Sequence, residues 1–324
     1  MYRGIYNNIR GLMVFLAGGL LLGTCPGVTG ATIYSETVIG DDPVAYWRLG
    51  ETSGTTAADE QGSFPGTYEV TDGETPISLG DAGPQTSDGF PGMGTENLAP
   101  TFPGGNNGTT VATEVSSSDY GGDYPFTVEA WFRTDVDAKA QNILTLSDEN
   151  AGEKLWGIGL RRAEDNSGST VRAYAYNGQF FDVRTPDGGP GSSGGTDVIF
   201  NDGDWHYVAG VFRPDTDNED GDGSTDYQIS LYVDPTAPTP VSTGFHNRTF
   251  VDSVDGTNIG SLIRNNGDIQ SEFDGQIDEA AVYNSALTGE QVLAHYRAAT
   301  TPEPSLTALL AVGLLAGLAC RRPK

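Results

Sequence analysis

The best cluster of candidate metal ligands in this chain lies between residues 218 and 226. Oxygen-bearing side chains occupy its first, third, fifth and ninth positions, which are Asn218, Asp220, Asp222 and Asp226. Gly223 stands at the sixth position, where a calcium loop of the EF-hand type turns sharply. The twelfth position is Ile229 instead of a bidentate glutamate, so Ca²⁺ would be held weakly by fewer protein oxygens. The alternative is an acidic hairpin between two strands.

A set of aromatic residues is spaced to face outward from predicted strands. Successive side chains point to opposite faces of a strand, so alternating apolar residues mark its buried face. The residues left on the opposite face are Trp131, Arg172, Tyr174, Tyr176 and Tyr232. Flat rings beside polar groups suit the apolar faces and hydroxyl edges of a pyranose, which makes these residues candidate carbohydrate contacts. The alternative is that they pack beneath loops or in the second face of a sandwich.

Nucleophilic catalysis has little support in the sequence. The two cysteines, Cys25 and Cys320, lie in terminal segments that we expect to be removed. The three histidines are scattered along the chain, although a Ser-His-Asp triad does not require its members to be close in sequence. We therefore assign no catalytic residue and predict that the protein is not an enzyme.

The composition restricts the possible partners. The 324 residues carry a net charge of −27, and five of the seventeen basic residues lie near the two termini. Such a charge keeps an exported protein soluble and argues against nucleic acid or anionic lipid as a partner. An anionic polysaccharide would be repelled as well, unless divalent cations bridged the two. Without disulfides, stability must come from a packed core or from bound metal.

Short runs of alternating polarity recur between Pro43 and Tyr283, separated by turns rich in Gly, Asp and Pro. The clearest predicted strands are Val44–Leu49, Phe126–Arg133, Val171–Tyr176, Trp205–Arg213, Ile229–Asp234 and Gln276–Tyr283. No amphipathic helical segment interrupts them. The pattern predicts an all-β protein, an antiparallel jelly-roll β-sandwich.

One helix is predicted at the end of the sandwich. Thr288 is placed to cap it, and Gln291 stands three residues later, as in a capping box. Two long loop insertions are predicted at residues 71–110 and 186–204. The chain thus divides into an N-terminal segment at residues 1–31, one sandwich domain at 32–300 and a C-terminal segment at 301–324.

Four sequence blocks resemble a known family. They are Pro43–Glu51, Phe126–Arg133, Trp205–Ala209 and Phe273–Asn284. Together they resemble the laminin G-like branch of the concanavalin A-like lectin/glucanase superfamily, over residues 41–299. The superfamily includes lectins, adhesive modules, accessory domains of glycosidases and a few enzymes, so the resemblance implies a fold more firmly than a function.

The resemblance implies a second candidate metal site. Members of the family often hold a structural calcium near the edge of the sandwich. The candidate carboxylates here are Asp278 and Glu279, with Glu51 or Asp59 from the first loop. The alternative is that Glu279 makes a buried hydrogen bond that fixes the last strand.

The resemblance also allows a test for glycoside hydrolysis. Glucanases of the superfamily place a nucleophile and a general acid on one strand in a Glu-x-Asp-x-x-Glu arrangement. The corresponding stretch here, residues 276–281, has Gln276 and Ala281 where the two catalytic glutamates belong. The hydrolase motif is therefore broken at both working positions.

The last twenty-four residues resemble the PEP-CTERM sorting signal of Gram-negative bacteria. Its elements are Pro302, Glu303 and Pro304, an apolar run, and then Arg321 and Arg322. As a helix the apolar run would reach about 24 Å, short of the roughly 30 Å hydrocarbon core. The resemblance implies transient inner-membrane association, cleavage by an exosortase-type peptidase, and delivery to the cell surface or extracellular matrix. The alternative is an ordinary short C-terminal membrane helix.

The N-terminus has the features of a secretory signal peptide. Arg3 and Arg10 precede an apolar stretch, and the small residues 29–31 offer a cleavage site for signal peptidase. A lipoprotein signal at Cys25 is a minor alternative. Together, the two ends predict an exported protein.

These observations lead to one functional hypothesis and two alternatives. We expect a cell-surface or matrix protein that binds extracellular polysaccharide and does not cleave it. The first alternative is a structural or adhesive matrix protein that contacts other proteins. The second is a glycosidase, which needs two carboxylates about 5–10 Å apart in a cleft.

Overall fold

The computed structural model describes the chain from residue 32 to residue 302. Internal residues outside this description are 72, 106, 117, 120–124, 138–139, 149–153, 164–167, 178–179, 186–198, 216–225, 247–255 and 264–268. The predicted signal peptide, nearly all of the predicted sorting signal and most of the predicted calcium loop therefore lie outside the described residues. So does most of the predicted loop at residues 186–204.

The described residues form eighteen strands and two α-helices. In chain order the strands are β1 (Ala45–Trp47), β2 (Thr56–Ala57), β3 (Gly66–Glu69), β4 (Ser78–Ala82), β5 (Leu98–Pro103), β6 (Thr110–Thr113), β7 (Phe126–Arg133), β8 (Ala140–Asp148), β9 (Lys154–Arg162), β10 (Ser169–Asn177), β11 (Phe180–Arg184), β12 (His206–Asp215), β13 (Asp226–Val233), β14 (Ser242–His246), β15 (Gly256–Ile259), β16 (Leu262–Ile263), β17 (Ile269–Gln270) and β18 (Asp274–Tyr283). The helices are α1 (Ile33–Gly40) and α2 (Gly289–Thr300), and 3-10 turns cover Thr86–Asp88 and Pro91–Met93.

Two antiparallel sheets carry most of these strands. Within the described ranges, sheet I has the order β14-β13-β12-β7-β18-β5-β4, with β1 also paired to β18. Sheet II has the order β11-β10-β9-β8-β15-β6-β3-β2, and β16 pairs with β17. The two sheets pack face to face, which confirms the predicted jelly-roll β-sandwich.

The core between the sheets follows from alternation along the strands. Phe126, Val128, Ala130 and Phe132 of β7 all point inward, as the period-two pattern predicts, and Trp47 of β1 is also fully buried in this core. Burying one such apolar side chain contributes about 1.5–3 kcal/mol. The pattern of inward residues therefore fixes the facing of each strand.

The outer face of sheet I is covered by α1, α2 and the 3-10 turn Pro91–Met93, which we call the helical cover. Tyr34 of α1, Met93 of the turn and Val292 of α2 pack against outer-face side chains of sheet I. Gly92 allows the turn to touch α2, because a Cβ there would lie 1.6 Å from the carbonyl oxygen of Ala298. Among the described residues, no helix combines the length and apolar character needed to cross a bilayer.

The C-terminal helix begins where the sequence predicts. The Thr288 hydroxyl accepts a hydrogen bond from the backbone N–H of Gln291 at 3.3 Å, and the Gln291 side chain accepts one from the backbone N–H of Thr288 at 2.9 Å. This is a capping box. Helix α1 was not predicted; it begins with a capping box of its own, formed by Thr32 and Ser35.

The predicted loop at residues 71–110 is wrong in part, because it contains β4 and β5. Strand β5 pairs with β18 on one side and β4 on the other, which extends sheet I. Pro100 is compatible with a strand here because it is paired in neither ladder, and proline cannot donate to one. Gly80, with a φ of 82°, lies in β4 where its pairing with β5 shifts register.

Candidate functional site

Strand β10 places three of the predicted sugar-binding residues on one surface. Val171, Ala173 and Ala175 point into the core between the sheets. Arg172, Tyr174 and Tyr176 therefore lie on the outer face of sheet II, as the alternation predicts. This face lies on the opposite side of the sandwich from the helical cover.

Two glycines in β9 shape the surface beside these side chains. Gly159 is the register partner of Arg172, and Gly157 is the partner of Tyr174. A Cβ on Gly157 would lie 2.5 Å from the carbonyl oxygen of Leu144 in β8. Because neither glycine has a side chain, the outer surface of β9 is bare between the side chains of β10 and those of β8.

The result is a cavity of about 200 Å³ on the outer face of sheet II. We call it the Arg172 cavity. It is lined by Asn142, Leu155, Arg172, Tyr174, Tyr176, Phe180, Leu262 and Ser271. It combines apolar walls with one guanidinium, one amide and hydroxyl groups.

The aromatic residue that meets solvent in this cavity is Phe180 and not Tyr174. The two rings stack with centroids 5.5 Å apart and an interplanar angle of 20°, and the Tyr174 hydroxyl donates to Oδ1 of Asn142 at 2.7 Å. Tyr174 is 1% exposed, whereas Phe180 is 40% exposed. Tyr174 lies on the outer face and lines the cavity, as the alternation predicts, but its ring is covered by Phe180.

Sequence reasoning missed Phe180, although a signal was present. Residues Asn177 and Gly178 form an Asn-Gly pair, which is typical of a hairpin turn between two strands. In the structure Tyr176 and Phe180 are direct partners across the β10–β11 pair. A hairpin turn at residues 177–178 predicts a following strand, in which Phe180 joins the outward-facing residues of β10.

The guanidinium of Arg172 lies over the aromatic wall. Its Cζ is 4.4 Å from the centre of the Tyr174 ring and 5.2 Å from that of Phe180. Among the described residues, its buried Nε has no hydrogen-bond partner. Burial lowers the pKa of Arg172, and the neighbouring Arg161 and Arg184 lower it further against the opposing effects of Tyr174 and Asp182. Arginine nevertheless remains charged in proteins.

Tyr232 lies in a different groove from the β10 residues. This groove, which we call the Tyr232 groove, has a volume of about 580 Å³ on the outer face of sheet I, beside the start of α2. Its polar lining includes Arg213, Gln228, Ser230 and Thr243. Tyr232 is only 6% exposed, and burial raises the pKa of its hydroxyl. The five predicted sugar contacts therefore do not form one site.

Trp131 is excluded from any open groove by the helical cover. It lies on the outer face of β7, as predicted, but it is fully buried. Its ring stacks on Tyr296 of α2 at 5.9 Å and meets Phe90 edge-on at 5.0 Å. The prediction of a sugar contact at Trp131 is corrected, because alternation gives the face of a residue and not what covers that face.

Asp278 and Glu279 do not form the predicted metal site. Glu279 accepts hydrogen bonds from the Tyr46 hydroxyl and from Nε of Arg48, the latter at 3.2 Å, and Asp278 accepts one from Asn97 at 2.6 Å. Burial raises the pKa of Asp278 well above its usual value, and the charge of Glu279 raises it further. Glu279 is held by protein donors, whereas Oδ1 of Asp278 is buried without a hydrogen-bond partner among the described residues.

The other carboxylates of that proposed set are also engaged. Asp59 accepts hydrogen bonds from backbone N–H groups of its own loop, and Glu51 accepts one from the Tyr68 hydroxyl at 2.7 Å. Within the described ranges, no three His, Cys, Asp or Glu side chains are grouped so that they could hold a metal ion. Of the other predicted cluster, Asp226 begins β13, while Asn218, Asp220 and Asp222 lie outside the described residues.

A buried network beneath the helical cover was also missed. Glu129 of β7 accepts a hydrogen bond from the Tyr283 hydroxyl at 2.8 Å, and it lies 2.9 Å from Nδ1 of His295 in α2. Burial alone would lower the pKa of His295, but the charges of Glu129 and Asp41 outweigh it, so the pKa is raised. Sequence spacing could not reveal this network, because 166 residues separate Glu129 from His295.

Comparison with known proteins supports the fold. The family model of the concanavalin A-like lectin/glucanases superfamily, in its laminin G form, matches residues 103–293. No curated protein sequence matches the chain.

Several solved structures are distantly similar. The sialidase carbohydrate-binding module CBM40 of Ruminococcus gnavus, bound to α2,3-sialyllactose, is 16% identical with a TM-score of 0.39, over 55% of this chain and 85% of the module. The binding domain of Paraclostridial Mosquitocidal Protein 1 is 15% identical with a TM-score of 0.47, over 79% of this chain and 52% of that one. A Trypanosoma rangeli sialidase is 14% identical with a TM-score of 0.44, over 78% of this chain and 32% of the sialidase.

Proposed function

Because this chain belongs to the concanavalin A-like lectin/glucanases superfamily, we propose that it binds carbohydrate at the Arg172 cavity and does not cleave it. We further propose that it does so outside the cytoplasm, at the cell surface or in an extracellular matrix.

The observation that carries the proposal is the convergence of Arg172, Tyr176 and Phe180 around one cavity. Phe180 presents an exposed ring face suited to the apolar face of a pyranose. Arg172, Asn142 and Ser271 line the same cavity and bring polar groups suited to hydroxyl edges. A volume of about 200 Å³ is below the roughly 300–1,000 Å³ of pockets that enclose drug-sized ligands, which suits one sugar ring at the end or branch of a chain.

Burial of the carboxylates on the sheet I face supports a non-catalytic role. Glu129, Asp278 and Glu279 are all fully buried. Each accepts a hydrogen bond from a protein donor, and Glu129 lies beneath the helical cover. A glycosidase needs two carboxyl groups that flank the scissile bond in an accessible cleft.

Export is proposed from the two terminal segments. We propose that signal peptidase removes residues up to about 31, and that an exosortase-type enzyme acts near Pro302–Pro304 after transient membrane association. Mass spectrometry of the mature protein from its native host would test both cleavages. An intact chain recovered from the cytosol would contradict the proposal.

A binding experiment with matched variants tests the carbohydrate function. Wild-type protein, Phe180→Ala and Val70→Ala would be compared on a glycan array and then by calorimetry against the best oligosaccharide. Phe180 and Val70 are similarly exposed, at 40% and 38%, and Val70 does not line the Arg172 cavity. Loss of the ring contact should weaken binding roughly 10-fold, since aromatic contacts contribute about 0.5–1.5 kcal/mol beyond area burial.

The control variant and the unbound result have different meanings in this experiment. Val70→Ala should bind as the wild type does. Absence of binding to every glycan would overturn the proposal, and retention of matrix proteins alone would support the structural or adhesive role instead.

A further inference from the structure

Arg172 has an unusual environment for a charged side chain. It is 7% exposed, and within the described part of the chain its Nε has no hydrogen-bond partner. The groups that pack against its guanidinium are the rings of Tyr174 and Phe180. A buried donor left without an acceptor costs about 1–3 kcal/mol, and more for a charged group. An acceptor supplied by a ligand in the cavity would remove that cost.

The charges around the cavity favour an anionic ligand. Asp182 is the carboxylate beside Arg172, but Arg184 binds it at 2.5 Å and Arg161 lies 3.8 Å from it. Among the described residues, Arg161 and Arg184 therefore lie with Arg172 around Asp182. This group of arginines occurs in a chain whose net charge is −27.

The walls of the cavity restrict which anion fits. Phe180, Leu155 and Leu262 are apolar, so the ligand must present an apolar face as well as a charge. An arginine matches a planar carboxylate through two parallel N–H donors, which include Nε. A pyranose that carries a carboxylate has both features: a ring face for Phe180 and an acceptor for Arg172.

We propose that the Arg172 cavity recognises acidic sugar units, and specifically that Arg172 binds the carboxylate of a uronic acid while Phe180 contacts its ring. This inference rests on the proposed carbohydrate-binding function and names its ligand class. It differs from the expectation, based on net charge, that an anionic polysaccharide is repelled unless divalent cations bridge it. On this proposal Arg172, with Arg161 and Arg184 beside it, offsets the negative charge of the chain locally.

The test compares three forms of one ligand. Oligogalacturonate, its methyl ester and the matching neutral oligogalactoside would be titrated by calorimetry into the full-length protein, with EDTA present. Wild-type protein should bind the free acid at least 10-fold more tightly than the methyl ester. Arg172→Gln should reduce that ratio to near 1, and Arg172→Lys should retain part of it, because lysine keeps the charge without the planar fork.

A matched variant separates general charge from the specific contact. Arg161→Gln removes a guanidinium that is 42% exposed and lies in the same cluster. It should lower affinity for the free acid by no more than about 2–3-fold, a change of under about 1 kcal/mol as for exposed pairs. Thermal melts of each variant establish that it is folded before its affinity is compared.

The outcomes distinguish this inference from the function beneath it. Equal binding of wild-type protein to the acid, the ester and the neutral sugar overturns the acidic-sugar inference and leaves carbohydrate binding intact. A preference for the acid that survives in Arg172→Gln, or that needs added Ca²⁺, also overturns it. Absence of binding to all three ligands and to every other glycan overturns both. If Arg172→Gln does not fold, the wild-type ratio of acid to ester still decides.

Discussion

His295 of α2 lies with its Nδ1 2.9 Å from Oε2 of Glu129 in the central strand β7. Its other ring nitrogen, Nε2, lies 2.9 Å from Oδ2 of Asp41, the residue that follows α1. One imidazole therefore joins the end of α1, the middle of α2 and sheet I.

The first prediction concerns the pH dependence of stability. The pKa of His295 is raised in the folded protein, so its contribution is present in full below the unfolded value of about 6.5. That contribution is lost as pH rises through the raised folded pKa. The melting temperature of wild-type protein should therefore fall over this range relative to that of His295→Gln. A constant difference between the two melting temperatures from pH 5 to pH 9 would contradict the assignment.

The second prediction concerns the buried pair of Arg48 and Glu279. Arg48→Met leaves the carboxylate of Glu279, which is fully buried, without its cation. Breaking a buried pair from one side costs about 3–5 kcal/mol, and urea denaturation should show a loss of this size. The double variant Arg48→Met, Glu279→Gln should recover part of it, because no uncompensated charge remains. Additive losses in the double variant would show that the two residues are not coupled.

The third prediction concerns the close approach of β9 to β8. In Gly159→Ala the new Cβ would lie 2.4 Å from the carbonyl oxygen of Gln141, so the strands must separate. Overpacking of this kind costs about 1–3 kcal/mol. Gly40→Ala is the control, because nothing lies within 4 Å of its Cβ position. Chemical denaturation should show destabilisation in the first variant alone.

The fourth prediction concerns calcium at residues 218–226. If these oxygens bind Ca²⁺, chelation should lower the melting temperature, since a ligand that binds only the folded form stabilises it. Asp222→Asn should reduce the response to added Ca²⁺, whereas Asp81→Asn, which lies outside the cluster, should leave it unchanged. Identical melting curves with EDTA and with excess Ca²⁺ would show that this loop is only solvated charge.

Much of the sandwich follows from local patterns in the sequence. Alternation in β7 assigns Phe126 and Phe132 to the core, and the capping box at Thr288 locates the start of α2. Both depend on neighbours within a few residues. This is why they could be predicted.

Two kinds of feature could not be predicted from the sequence. They are contacts between residues far apart in the chain and interruptions of the two-residue alternation within a strand. Trp131 faces outward from β7, but the residues that cover it come from α2 and from the loop before β5. At Glu279 the φ angle is 53° and the pairing of β18 with β7 shifts register, so the alternation that serves β7 fails between Asp278 and Ala281. In the candidate site, the outward-facing residues of β10 could be predicted from alternation. The unpaired Nε of Arg172 could not, because it depends on how neighbouring strands pack around the guanidinium.

The placement of α2 has a consequence for any C-terminal attachment of the domain. The helix packs on the outer face of sheet I, and the described chain leaves it at Pro302. The Arg172 cavity opens on the outer face of sheet II. A tether attached beyond Pro302 would therefore start from the sheet I side of the sandwich, which leaves the cavity on the sheet II side uncovered by it.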